Sequence, residues 1–138
     1  MSLVLLDTTI LIDEERDSGA FYAVLDDEDD VAVAAVTVAE LLVGVELASE
    51  GQREGRRAFV DDVVTSLPVI PYDLAIAKEH AFLLAAVKRA GRPRGAHDLL
   101  IAATARATQR AVITADMNAF DDLPGVEVRS HRADPNRT

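Results

Sequence analysis

The sequence predicts an α/β protein, a three-layer α/β/α domain built around a central, mostly parallel sheet. Three observations lead there. Short apolar runs of strand length alternate with longer segments of helical periodicity. The runs at 3–6, 31–36 and 111–114 carry almost no polar residue, as expected of strands covered on both faces. Capping and terminating residues fall between these segments so that most strands are followed by a helix. That order yields parallel pairing through crossover connections.

Each element has its own signal. Leu3 to Leu6 is an all-apolar strand closed by Asp7. Helices are expected over 9–15 and 19–25, and a valine-rich buried strand over 31–36. Thr37 followed three residues later by Glu40 has the form of a capping box, so a helix is expected over 37–50, stopped by Gly51. A further helix over 53–66 places Phe59, Val60, Val63 and Val64 on one face. Val69 and Ile70 lie between two prolines and read as a short strand. Asp73 caps a helix over 74–90 that Gly91 ends, and residues 91–95 (Gly-Arg-Pro-Arg-Gly) form a loop. The nearly all-apolar stretch 98–109 reads as a buried helix, 111–114 as a strand, 117–122 as a turn or short helix, and 126–128 as a last strand.

The 138 residues suit one domain, 1–128, followed by a polar tail, 129–138, that is expected to fray. An apolar share of 49% with 28% charged residues is that of an ordinary globule large enough to fold without staples. There is no cysteine, which excludes disulfides and thiolate-bound zinc. The first residues carry no secretory signal and no run approaches the length needed to span a bilayer, so the cytoplasm is the expected compartment. The formal charge of −10 opposes a broad phosphate-binding surface. Two features soften that objection: residues 26–30 concentrate five acids in one solvated loop, and bound divalent cations would invert the sign at an acidic cluster.

Four acids stand at the ends of these elements: Asp7 after the first strand, Glu40 and Asp98 in first helical turns, and Asp116 two residues beyond the strand 111–114. Singly, each has a bland reading as a helix cap, a dipole-stabilised first-turn acid or a turn residue. Glu40 is already accounted for as the partner of Thr37. Jointly they are different, because in a parallel sheet ligands gather beyond the carboxyl ends of the strands, where all four converge. Such a cluster repels itself by about 1–4 kcal/mol per close pair unless a cation occupies it. Oxygen ligands without His or Cys suit Mg²⁺ or Mn²⁺. Thr114 could orient a water or a carboxylate, and Thr9 offers a second hydroxyl. Arg92 and Arg94, just before Asp98, could hold a nucleic-acid backbone or simply be solvated; His97 could contact substrate or be structural.

The segments Leu5-Leu6-Asp7-Thr8-Thr9-Ile10-Leu11-Ile12-Asp13, Thr37-Val38-Ala39-Glu40-Leu41-Leu42-Val43-Gly44, His97-Asp98-Leu99-Leu100-Ile101-Ala102-Ala103 and Ile113-Thr114-Ala115-Asp116 with Phe120, in that order and separation, resemble PIN-domain ribonucleases of the VapC type, the toxins of bacterial toxin–antitoxin pairs. The resemblance runs from Leu3 to about Val128. It implies an endoribonuclease dependent on Mg²⁺, with Mn²⁺ as substitute, in which Asp7, Glu40, Asp98 and Asp116 are the catalytic and metal-holding acids. It also implies a homodimer and a small antitoxin protein as inhibitor. The chain departs from the family pattern at Thr9 (often Asn or Ser), His97 (often Asn) and Ala119 (often an acid), which leaves one or two metal ions open. A haloacid-dehalogenase-like phosphatase is the alternative enzyme. It needs a second Asp two residues after the first, where this chain has Thr9. A non-catalytic PIN scaffold acting as a binding partner is the alternative outside enzymes.

Overall fold

The structure, a computed structural model, describes residues 2–16 and 27–130. The helix expected over 19–25 and residues 131–138 of the expected tail lie outside the described residues, whereas Arg129 and Ser130 of that tail are paired in the last strand. In chain order the elements are β1 (Leu3–Leu6), α1 (Thr8–Arg16), β2 (Asp30–Ala34), α2 (Ala35–Leu47), α3 (Glu50–Ser66), β3 (Val69–Ile70), α4 (Leu74–Ala90), α5 (Ala96–Thr108), β4 (Ala111–Thr114), a 3₁₀ turn (Met117–Ala119) and β5 (Val128–Ser130).

The five strands form one sheet in the order β3-β2-β1-β4-β5, and every pair is parallel. The three-layer α/β/α expectation is therefore borne out. Alternation along β1 sends Leu5 to one face and Val4 and Leu6 to the other. Leu5 packs with Ala32, Val112 and residues of α4 and α5 such as Leu83 and Ile101. Val4 and Leu6 pack with Val33 and with Ile10, Leu41 and Val60 from α1, α2 and α3. From β1 the chain builds outward to β2 and β3, then returns to lay β4 on the other side of β1. The crevice of the sheet thus opens between the carboxyl ends of β1 and β4. The backbone N–H of Asp7 still donates to the carbonyl of Ile113 at 3.0 Å, so Asp7 is held at that edge beside Thr114.

Helix α4 follows its sequence signals closely. Asp73 accepts a hydrogen bond from the Ile76 N–H at 2.9 Å, and Gly91 closes the helix in the left-handed region at φ 66°. Several boundaries differ from expectation. Helix α2 begins at Ala35, so Ala35 and Val36 belong to it rather than to the preceding strand. Thr37 is consequently no cap: it is fully buried inside the helix, whose true N-cap, Ala34, makes no side-chain bond. Helix α2 stops at Leu47, and Gly51 lies in the first turn of α3 instead of ending α2. The last strand is Val128–Ser130, because the Val112 N–H pairs with the Glu127 carbonyl and Ile113 then sits opposite Arg129. On α3, Val60 and Val63 are buried, whereas Val64 turns to solvent.

Candidate active site

Asp7 is the anchor of the crevice and only 2% exposed. Its Oδ1 accepts from the Thr9 hydroxyl at 2.7 Å and from the Ile10 N–H at 3.1 Å, and its Oδ2 accepts from the Thr114 hydroxyl at 2.5 Å. Each threonine has one proton to give. Both protons go to Asp7, so the 3.3 Å approach of the two hydroxyl oxygens is a contact imposed by their shared acceptor. Their lone pairs hold the next stretch of chain: Thr9 Oγ1 accepts from the Ala115 N–H at 3.0 Å, and Thr114 Oγ1 from the Asp116 N–H at 2.9 Å. The start of α1, the end of β4 and the segment carrying Asp116 are thereby knotted around one carboxylate. The Thr9 N–H also favours the ionised form of Asp7; Oδ1 is the more heavily bonded oxygen, and Oδ2 takes the Thr114 hydroxyl. Burial pushes the Asp7 carboxyl above its ordinary value, and the bonds from Thr114, Thr9 and the backbone oppose that shift.

Glu40 faces the same crevice from α2. With the capping box absent, its carboxylate is bound elsewhere: Oε1 accepts from the Thr8 hydroxyl at 2.7 Å, and Oε2 lies 3.4 Å from His97 Nδ1. Thr8 is a buried residue that sequence reasoning passed over. The only signal for it was the pair of hydroxyl residues directly after Asp7.

Asp98 stands in the first turn of α5, after the N-cap Gly95. A Cβ built on Gly95 would lie 3.0 Å from Asp98 Oδ2, so the carboxylate rests against the bare glycine. Burial, then the negative charges of Glu40, Asp7 and Asp116, raise the Asp98 carboxyl above its ordinary value, with His97 opposing. That one group feels all three of the others is the electrostatic mark of convergence, and it unites the four acids singled out from the sequence. Asp116 is the exposed member, at the foot of the 3₁₀ turn.

The two arginines sit further out. Arg92 pairs with Asp122 at 2.6 Å, and Arg94 donates to the carbonyls of Asn118 and Asp121. Both therefore brace the segment after Asp116 while keeping further donors. Among the described residues, no three His, Cys, Asp or Glu side chains are gathered tightly enough to cage one ion. The donor set instead fits the Mg²⁺ habit of taking one or two carboxylates and completing its shell with waters and substrate phosphates. Among the described residues, no helix is long and apolar enough to cross a membrane.

Comparison with known proteins gives a consistent picture. The family model of the PIN domain matches residues 4–126. Ribonuclease VapC5 of Mycobacterium tuberculosis is 33% identical over 125 residues, which cover 89% of this chain and 91% of that protein. Among solved structures, VapBC-5 from Mycobacterium tuberculosis, a member of the VapBC family of toxin-antitoxin systems, superposes with a TM-score of 0.77 at 32% identity, covering 96% of this chain and 100% of that one. VapBC2 from Rickettsia felis, bound to a DNA fragment from their promoter, superposes with a TM-score of 0.84 at 21% identity, covering 93% of this chain and 98% of that one. This likeness is one of fold.

Proposed function

The chain belongs to the PIN-domain family, and from that premise we propose that it is a metal-dependent endoribonuclease, the toxin of a toxin–antitoxin pair. The observation that carries the reading is the set of contacts that links the four acids: Thr9 and Thr8 tie Asp7 and Glu40 to one helical turn, Thr114 joins Asp7 to the Asp116 N–H, and His97 brings Glu40 to the turn that carries Asp98. These four acids are the groups that would hold Mg²⁺, or Mn²⁺ in its place, with one or two carboxylates meeting the ion directly. Bound there, the cation supplies a polarised water and offsets the charge that builds on the transferring phosphoryl group. The protein's own part is positional. Thr9 and Thr114 fix the Asp7 carboxylate between β1 and β4. Glu40 and Asp98 flank it from two helices, and Asp116 closes the outer side.

RNA is the substrate class in this reading. Spare donors on Arg92 and Arg94 supply a small cationic rim for the backbone. The acidic chain is otherwise poorly suited to broad phosphate contact. The toxin-antitoxin system named for VapBC-5 supports an antitoxin partner; a homodimer, inhibition by a small antitoxin and a cytoplasmic setting complete the proposal. The domain in this scheme extends through Ser130, the end of β5, rather than stopping at 128.

The test is cleavage of a mixed RNA pool by the purified chain, with Mg²⁺, with Mn²⁺, and with a chelator, alongside Asp7→Ala. Cleavage that needs the metal and disappears in the variant is the expected result. Cleavage unchanged by the chelator, or undiminished in Asp7→Ala, would remove the acid cluster from the reaction.

A further inference from the structure

We infer that Thr8 and His97 are positioning residues that clamp the Glu40 carboxylate from two sides and set how tightly the site takes a divalent cation; this rests on the reading of Glu40 as a cation-holding acid. Glu40 is the only one of the four acids with three rotatable side-chain bonds, so it has the most freedom to leave the crevice. It also stands on α2, a different element from the β1–α1 junction that carries Asp7. The two contacts close that gap. Thr8, buried in the first turn of α1, gives its proton to Glu40 Oε1 at 2.7 Å. Thr37 Oγ1 lies 3.3 Å from the same hydroxyl, but the nearer, charged acceptor takes the proton. His97, on the first turn of α5 next to Asp98, meets Oε2 at 3.4 Å. A carboxylate only accepts, so His97 Nδ1 must carry the hydrogen.

The consecutive pair Thr8-Thr9 therefore serves two acids in opposite directions. The Thr9 hydroxyl goes to Asp7 and the Thr8 hydroxyl goes to Glu40. The first turn of α1 thus sets both acids at once, and His97 ties Glu40 to the helix that carries Asp98. Partners of this kind behind metal-holding carboxylates typically change metal affinity by about 10–100-fold when removed. The Thr8 contact is short and buried. The His97 contact is longer than a closed hydrogen bond and more than half exposed, so it carries the smaller share.

The experiment measures Mn²⁺ binding to the full chain without RNA, following free Mn²⁺ by electron paramagnetic resonance. Thr8→Val keeps the side-chain shape and removes the hydroxyl; Thr8→Ser keeps the hydroxyl. The expected result is about tenfold or greater weakening in Thr8→Val, near-wild-type affinity in Thr8→Ser, a smaller weakening in His97→Ala, and recovery in His97→Asn, whose amide can donate from a similar place. Thr8→Val that folds and binds within twofold of wild type overturns the inference. Should Thr8→Val fail to fold, the exposed His97 decides, and wild-type affinity in His97→Ala overturns it. A wild-type chain that binds no Mn²⁺ overturns the proposed function as well, whereas tight wild-type binding with indifferent variants refutes the clamp alone.

Discussion

Asp98→Asn should stabilise the metal-free protein while abolishing its activity, and Mg²⁺ should reverse the order of stability. The carboxyl of Asp98 is raised by burial first and then by Glu40, Asp7 and Asp116. Ionised Asp98 therefore costs the folded state, and the amide relieves that cost without changing shape. Three like-charged neighbours in a site partly open to water, each counted at about 0.5 kcal/mol after solvent screening, give roughly 1.5 kcal/mol. The positive end of α5 favours the ionised form and returns about 0.5 kcal/mol. The net gain is about 1 kcal/mol, or roughly 3–5 °C in Tm for a domain of this size.

The pH dependence has a definite sign. For a carboxyl with a folded-state pKa above the unfolded one, the folded state holds the extra proton. The associated stability is present below the unfolded pKa of about 4 and is lost as pH rises through the folded pKa. Wild type and variant should thus unfold alike near pH 3.5 or below and diverge toward pH 7, with Asp98→Asn the more stable. At neutral pH, Mg²⁺ at a hundredfold excess over its Kd adds about 2.7 kcal/mol to the wild type. The variant, short of one ligand, should gain far less. Urea titrations at pH 3.5 and pH 7, with and without Mg²⁺, read all of this. A metal-free variant less stable than wild type at pH 7, or equal Mg²⁺ stabilisation of both proteins, would refute the electrostatic account of the cluster.

Three further substitutions probe the scaffold by urea unfolding. Thr114→Val removes the proton given to buried Asp7 and the acceptor of the Asp116 N–H, and should cost about 2–4 kcal/mol; a loss below about 1 kcal/mol would mean that water replaces the hydroxyl. Gly125→Ala combines φ 70° with a Cβ that would stand 1.9 Å from Arg106 Nη1, displacing a guanidinium that holds Glu79, lies over Phe82 and donates to the Pro124 carbonyl; about 1–3 kcal/mol of destabilisation is expected. Asp73→Ala removes the cap of α4 and should cost about 1 kcal/mol, with no effect on RNA cleavage, since the cap lies outside the acid crevice.

The sequence was most legible where local chemistry and tertiary demand agree. Strands β1 and β4 are central, so both their faces must be apolar; Ser2 and Asp7 bracket the run of β1, and Arg110 precedes that of β4, which closes on Thr114. Helix α4 is framed by an aspartate and a glycine that do at its ends what those residues do best. Legibility fails where the same residue type serves two states. The run 31–36 is equally apolar in strand and helix, and nothing local says that the chain leaves the sheet at Ala34, where the two-residue β3 leaves little ladder to continue. Strand β5 lies at the sheet edge, where Arg129 and Ser130 are as acceptable as valine, so composition could not set its register. Gln109 ends α5 in the left-handed region, at φ 57°, without a glycine to announce it.

The misplaced start of α2 bears directly on the site. As a capping partner of Thr37, Glu40 would have had a full local explanation and no need of a ligand. With the helix beginning two residues earlier, Thr37 faces Thr8 inside the protein, and Glu40 lies in the second turn with no N-terminal groups to satisfy. Its carboxylate is instead held by residues 32 and 57 positions away in sequence, next to an aspartate whose ionisation it opposes. A folded chain that spends a buried hydroxyl and a histidine to keep two acids near each other is organising repulsion. Helix stability does not require that arrangement, whereas the proposed cation site would.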